Sequence, residues 1–118
     1  MQSTTYTIAE QVGEFGIYGK VELRCEITKD FGKLNVRCSS EFARWQPGIL
    51  FGATYFLEHS MKSIGLELEI VNIEFNDVDT NNTVIAYVVF QALVEVNMVP
   101  IRRKIIFDRE QKSFVFPK

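Results

Sequence analysis

The chain has 118 residues, of which 47% are hydrophobic and 13% aromatic, and its formal net charge is −2. This length and composition predict a single folded domain over residues 1–118 and argue against disorder and against two independent cores. A slightly acidic chain is a poor counterion for a phosphate backbone, so the net charge argues against a nucleic-acid partner.

The apolar segments of the chain are short. The longest unbroken apolar run covers residues 84–90, far below the roughly 20 residues that a membrane span requires. The opening residues lack the basic segment followed by an apolar stretch that marks a signal peptide. We therefore expect a cytoplasmic protein with no membrane partner.

The first third of the chain favours β-structure. Residues 4–8 favour a short strand and residues 13–19 a flexible glycine-rich loop, and the sequence leaves open whether residues 1–19 belong to the core or to a partner. Residues 21–28 and 33–38 then alternate apolar and polar side chains, which is the period-two pattern of strands with one wet face.

The two cysteines lie in these two predicted strands. A turn over residues 30–33 would join the strands into a hairpin and place Cys25 opposite Cys38 on the apolar face. We interpret this pair as two small packed hydrophobes, because a disulfide requires an oxidising compartment and a metal requires further ligands. The chain offers one His and no Cys-x-x-Cys pair, so the sequence predicts no metal and no cofactor.

Residues 47–64 are the one predicted helix. Pro47 suits the first turn, where its missing N–H costs no hydrogen bond, and Gly65 suits the C-terminal stop. Other apolar side chains widen the buried surface, so this helix requires protein on most of its sides. The main apolar stripe recurs at helical spacing in Leu50, Ala53, Leu57, Met61 and Ile64.

Three or four strand-like runs follow the helix, from the segments 66–75, 83–96, 101–107 and 113–116. A change of parity at Ile70 and Val71 predicts a β-bulge in the first run. The second run is rich in β-branched side chains and is apolar on both faces. Because one helix can cover only one face, we expect a second subunit to cover the other, in a homo-oligomer assembled through strand edges and the outer sheet face.

The predicted class is α+β, a curved antiparallel β-sheet wrapped around one central apolar helix in the order β-β-α-β-β-β. This arrangement resembles the hotdog fold of acyl thioesterases and hydroxyacyl-carrier-protein dehydratases. QPGIL at residues 46–50, followed by Gly52 and Ala53, resembles their loop-to-helix segment, and IVNIEF at residues 70–75 resembles their next strand. The resemblance covers about residues 19–118. It implies an acyl-CoA or acyl-carrier thioester binding protein or a weak thioesterase, with a catalytically silent oligomeric scaffold as the alternative.

The catalytic residues of that family are not matched here. Phe51 stands at the position of the thioesterase His, and Ser60 stands at the position of the acid base. Glu58 is the candidate general base, because an apolar pocket raises the pKa of a carboxylate toward neutrality. The competing interpretation is a surface acid that pairs with Lys62 one helical turn later. Whether the chain is an enzyme at all therefore stays open.

Four further residues are candidate ligand-binding positions. In hotdog sites the free N–H groups at the start of the central helix bind the thioester carbonyl, and Gly48 and Gly52 would allow close approach there; the alternative is that they only permit tight packing. Trp45 either lines an acyl pocket or fills the core. His59 is either a ligand contact or a helix-surface residue, because no Ser, Cys or acid matches it as a triad.

Two short segments carry a second resemblance. GIYGKV at residues 16–21 and DVDT at residues 77–80 are similar to parts of the fourth domain of translation elongation factor G. In that family a helix follows the second segment, which would turn residues 83–96 into a helix and give a split β-α-β fold that touches ribosomal RNA. This third expectation is a ribosome-associated module. The acidic balance, the Val and Ile content of 83–96 and the short spacing from Pro47 to Asp79 favour the hotdog interpretation instead.

Overall fold

The structure is a computed structural model that describes residues 1–117, and its α+β class is as predicted. Two α-helices and a four-stranded sheet form its body, and the sheet is not closed. A short 3₁₀ helix, Ser40–Trp45, precedes the first α-helix. The elements in chain order are β1 (Gln2–Val12), β2 (Phe15–Thr28), β3 (Leu34–Cys38), α1 (Gln46–His59), β4 (Gly65–Glu74), α2 (Asn82–Asn97), β5 (Ile106–Asp108) and β6 (Ser113–Val115).

The sheet has the strand order β1-β2-β4-β3. β2 is antiparallel to both of its neighbours, β1 and β4, whereas β3 runs parallel to β4, so β3, α1 and β4 form a β-α-β unit. Both helices cover one face of the sheet, where Val21, Leu23 and Cys25 of β2 are fully buried. The opposite face is polar, and ion pairs such as Arg24 with Glu69, 3.1 Å apart, cross it.

Residues 1–19 belong to the sheet. β1 runs to Val12, a two-residue turn with Gly13 at φ +62° follows, and β2 begins at Phe15. The positive φ at the first turn position is typical of the tight turns that join antiparallel strands. The predicted glycine-rich loop over residues 13–19 is therefore wrong beyond the turn, because Ile17 and the residues around it alternate into the core as part of β2.

The predicted hairpin between residues 21–28 and 33–38 is also wrong. β4 lies between β2 and β3, so Cys25 pairs with Leu68 and Cys38 pairs with Ile70 instead of with each other. Both cysteines are free. The alternating pattern correctly indicated two strands with one buried face, but such a pattern does not determine which strand lies next to which.

Residues 83–96 form a helix, contrary to the predicted strand. α2 begins after Asn81, whose side-chain oxygen accepts the Val84 N–H at 2.9 Å, and it ends at Met98 in the left-handed conformation. Such an N-cap, combined with burial on nearly every side, outweighs the β-propensity of the sequence. The fully buried side chains of the helix include Ile85, Val88, Val89, Phe90 and Leu93.

The apolar surface that suggested a second subunit is thus buried within the chain, and the homo-oligomer prediction loses that basis. α2 packs against β1 and β2 on one side and against α1 along its length. The C-terminal β5–β6 hairpin covers part of its outer side, where the rings of Tyr87 and Phe114 lie 4.9 Å apart. The hotdog-like order is not confirmed, because two helices share one sheet face and the strand order differs.

α1 is shorter than predicted. It covers Gln46–His59, with Pro47 in its first turn as expected, and it ends at an extended Ser60, while Gly65 is the first residue of β4. The predicted bulge is confirmed: Leu23 pairs with Ile70 and Glu22 with Asn72, so Val71 has no partner in β2.

Of the predicted strand over residues 101–107, only the last two residues are in a strand, as part of β5. The predicted strand over 113–116 is present as β6. Ile101 makes only an isolated bridge to Ser60. Within residues 1–117, no helix combines the length and the apolar character that crossing a membrane requires.

Candidate functional site

The molecule has two chemically different ends. The hairpin end contains the β1–β2 turn, residues 75–81 between β4 and α2, and the first turns of both helices. The groove end contains residues 29–33 between β2 and β3, residues 60–64 after α1, and Arg102. Because α1 and α2 both start at the hairpin end, their positive dipole ends lie there and their negative ends lie toward the groove end.

The hairpin end is held by hydrogen bonds between β2 and the loop before α2. The Tyr18 N–H donates to the Asp79 carbonyl at 3.1 Å, and the Thr80 hydroxyl donates to the Tyr18 carbonyl at 2.6 Å. The same hydroxyl accepts the Asn76 N–H at 3.1 Å. A side chain at Gly16 would meet the Asp79 carboxylate at 2.8 Å, so this close approach favours glycine. The segments GIYGKV and DVDT, far apart in the sequence, therefore lie in direct contact.

Acidic side chains stand at the hairpin end beside the basic side chains Arg44 and Lys112. Asp77 pairs with Arg44 at 2.9 Å, Asp79 lies beside Gly16, and Val78 between them is 91% exposed. Acids near helix N-termini complement the helix dipole, so these charges have a structural role.

The groove end contains a cavity of about 360 Å³ between the β2–β3 loop and the C-terminal end of α1. Two large apolar side chains stand exposed beside it, Phe31 at 76% and Met61 at 63%. The groove therefore combines apolar walls with charged groups at its rim. The lining residues that matter for its chemistry are Phe31, Leu34, Leu57, Glu58, Lys62 and Arg102.

The groove end also carries basic side chains that form no ion pair within residues 1–117. Lys29, Lys33, Lys62 and Arg102 are all in this group. Basic residues near helix C-termini complement the negative dipole ends, which is the structural reason for their position. The acids at this end, Asp30 and Glu58, form no ion pair with these side chains within residues 1–117, so the basic groups remain available to an anionic ligand.

The groove is fixed by backbone hydrogen bonds to the chain on both sides. The Arg102 N–H donates to the His59 carbonyl at 2.8 Å, and the Met61 N–H donates to the Pro100 carbonyl at 2.9 Å. The buried Ser60 hydroxyl accepts the Lys62 N–H at 3.1 Å and donates to the Lys62 carbonyl at 3.0 Å. These bonds position Lys62 and Arg102 on the same rim.

The structure places the candidate base Glu58 on the exposed side of α1, at the wall of the groove. Within residues 1–117 it makes no ion pair with Lys62, so the predicted surface pair is not formed either. His59 is the last residue of the same helix and packs along it. Its ring stacks on the Tyr55 ring at 3.9 Å, and its Nδ1 lies 3.1 Å from the Tyr55 carbonyl oxygen. Ser60 also lines the groove, but within residues 1–117 its hydroxyl bonds to the Lys62 backbone and not to Glu58 or His59.

The other candidate ligand residues, Trp45, Gly48 and Gly52, lie toward the opposite end of α1 from Glu58. A Cβ at Gly48 would meet the Asn82 carbonyl at 2.5 Å, and a Cβ at Gly52 would meet the Ala86 carbonyl at 2.5 Å. Both glycines thus face α2 at close approach. Trp45 is buried against the Phe75 ring at 5.1 Å and fills the core.

No group of three or more His, Cys, Asp or Glu side chains in residues 1–117 is arranged to hold a metal ion. The groove residues that the sequence analysis missed are Phe31 and its flanking lysines. The signal was present in KDFGK at residues 29–33, where an aromatic ring lies between two lysines in a turn.

The chain matches no protein-family model and no curated protein. Among solved structures, it is similar to the crystal structure of a protein from Thermus thermophilus, with a TM-score of 0.65 and 19% identity. The match covers 80% of this chain and 15% of the Thermus chain, so this chain corresponds to a small part of that protein. At this identity the similarity concerns the fold alone.

Proposed function

We propose that this chain is a catalytically silent, ribosome-associated binding module of the type represented by the fourth domain of translation elongation factor G. The observation that carries the proposal is the contact between the two segments on which that resemblance rests. Tyr18 in the first segment bonds to Asp79 and Thr80 in the second, and α2 follows directly, as the resemblance implies.

The fold agrees with the resemblance in part. It contains a β-α-β unit, but β3 and β4 are neighbours, whereas the resemblance implies a split unit. The similar Thermus chain contains the fold as 15% of its length, which is how a binding module occurs within a larger protein.

The groove end is the surface we assign to RNA. Lys29, Lys33, Lys62 and Arg102 supply positive charge that no acid within residues 1–117 pairs, and counterion release makes such charges favourable partners for phosphates. Phe31 adds an exposed ring, on which an unpaired base can stack. The acids of the hairpin end lie apart from it, so the net charge of −2 does not describe the local surface that meets the RNA.

The acyl-thioester function has weaker support. α2 packs closely against Gly48 and Gly52, and Gly48 also lines an apolar cavity of about 310 Å³ that contains no titratable side chain. Glu58 lies toward the other end of the helix, and the His59 ring beside it is stacked on Tyr55. A thioesterase assay on a panel of acyl-CoA esters nevertheless belongs beside the binding experiment, with Glu58→Gln as its control.

The proposal is tested by sedimentation of purified protein through a sucrose cushion with ribosomes and with separated subunits. We expect the protein to pellet with ribosomes at low salt and to be released as salt rises, since the phosphate contacts are electrostatic. Release of free CoA, abolished in Glu58→Gln, together with no pelleting at any salt concentration would overturn the proposal in favour of the acyl-thioester function.

A further inference from the structure

β1 is a free sheet edge of unusual length and character. It has eleven residues, and Glu10 is its one charged side chain. Within residues 1–117 it pairs only with β2. The other edge strand, β3, has five residues, includes Arg37 and follows Lys33 directly. Proteins normally protect exposed edges by short strands, charges, prolines or bulges, and β3 is short and charged whereas β1 is long and nearly uncharged.

The hydrogen-bonding direction along β1 follows from its turn. With a two-residue turn, Val12 and Phe15 form the innermost hydrogen-bonded pair, and the backbone groups of every second residue then point toward β2. The N–H and C=O groups of the residues between point outward, and no other described element bonds to them. Those residues are Ser3, Thr5, Thr7, Ala9 and Gln11.

The C-terminal segment does not occupy this edge. A cavity of about 680 Å³ lies between the middle of β1 and residues 104–109. The one charged residue of the strand is also satisfied within the chain, because Glu10 pairs with Arg109. Within the described residues, no element other than β2 makes a backbone hydrogen bond to β1, and residues 104–109 lie across the cavity from Thr7 and Ala9. The strand carries no unpaired charge.

We infer that β1 is a homodimer interface, at which a second copy of this chain adds its own β1 in antiparallel orientation. With Thr7 on the two-fold axis, Thr5 lies opposite the second copy's Ala9, and Ser3 lies opposite its Gln11. On the helix side, Glu10 lies opposite the second copy's Thr4. No like charges meet in this register, and the two four-stranded sheets join into one continuous sheet.

The sequence predicts assembly through strand edges and the outer sheet face, and this interface uses a strand edge alone. A single β-ladder buries less surface than a standard stable interface, so we expect a dimer in the micromolar range. It is independent of the ribosome proposal, since the groove end lies elsewhere and either property can fail alone.

The test is sedimentation-velocity ultracentrifugation over a concentration series. We expect wild-type protein to approach twice the monomer mass at about 100 µM. Thr7→Pro removes one outward N–H, which an edge strand tolerates, and should raise the dissociation constant at least about tenfold. Thr7→Val keeps the N–H and the β-branched shape and is the matched control, expected to dimerise like wild type.

If Thr7→Pro fails to fold, two variants with opposite charges at position 7 test the same interface. Thr7→Lys and Thr7→Glu should each be monomeric, because each places like charges opposite one another on the axis, and their equimolar mixture should dimerise. A wild-type monomer at about 100 µM, a Thr7→Pro dimer of unchanged affinity, or a mixture that stays monomeric would each overturn the inference.

Discussion

The two ends of this molecule contrast in how they use charge and hydrogen bonds. At the hairpin end, Thr80 and Tyr18 close a loop onto the sheet, and the exposed acids complement two helix N-termini. At the groove end, the backbone bonds of Arg102 and Met61 fix the chain, while Phe31 and the basic side chains stay exposed to solvent. The polar groups of the hairpin end are thus hydrogen-bonded within the chain, whereas the aromatic and basic side chains of the groove end are available to a partner.

The largest expected effect comes from separating α1 and α2, because both helices run from the hairpin end toward the groove end and their packing supports both. Gly52→Ala places a Cβ 2.5 Å from the Ala86 carbonyl and should force α1 and α2 apart. We expect a loss of about 2–3 kcal/mol in the free energy of unfolding, measured by urea denaturation. Thr54→Ala, on the exposed side of α1, is the control and should change stability by less than about 0.5 kcal/mol. Equal stability of the two variants would contradict the close helix approach.

The next largest effect is on ribosome binding and comes from changes at the groove end alone. Replacing Lys62 and Arg102 together by Ala should weaken ribosome binding by about tenfold or more and reduce the slope of log K against log salt by about two, since two phosphate contacts are lost. Both residues are at the rim of the groove, so the unfolding free energy should hardly change. Lys112→Ala, at the hairpin end, is the control. A loss of binding as large in Lys112→Ala would remove the distinction between the ends.

A smaller effect is on stability and comes from a change at the hairpin end alone. Thr80→Val deletes the hydroxyl that joins Asn76 to Tyr18 and should cost about 1–2 kcal/mol of stability, because the Tyr18 carbonyl and the Asn76 N–H lose their partner. Thermal unfolding against the exposed Thr83→Val measures it. Ribosome binding should be unaffected; binding that falls in proportion to the lost stability would mean that the two ends are not separable.

The smallest effect concerns the sheet that links both ends. Cys38 is half-buried and Cys25 fully buried, and burial raises the pKa of both thiols. Because the thiolate is the reactive form, alkylation of Cys38 should accelerate as pH rises toward its elevated pKa, while Cys25 should react only after unfolding. Intact-mass measurement follows both. An intramolecular disulfide on oxidation would contradict the placement of β4 between them.

The sequence predicted the α+β class, α1, β4 and the bulge at Val71, since each depends on local periodicity or on a proline and glycine signal. Periodicity failed at α2, where only the second resemblance implied a helix, because burial on nearly every side removes the polar face that distinguishes a helix from a buried strand. The Asn81 cap was the missed signal. The failure at β3 has another cause, because an alternating pattern carries no information about which strand is the neighbour.

The candidate site was less predictable than the fold. Glu58 does line the groove, but its proposed chemistry required partners that the described residues do not place near it. Gly48 and Gly52 were expected either at a ligand or in packing, and they face α2. The groove itself assembles residues from three separate segments, so no local pattern contains it.

The most direct test of the central claim, that the groove end meets RNA, is the fluorescence of a Phe31→Trp variant titrated with single-stranded RNA. We expect quenching at low salt as bases stack on the ring, reversed by added salt. Val78→Trp, at the exposed tip of the hairpin end, is the control and should show no change. Unchanged Phe31→Trp emission, in a protein that still pellets with ribosomes, would contradict the assignment of the groove end.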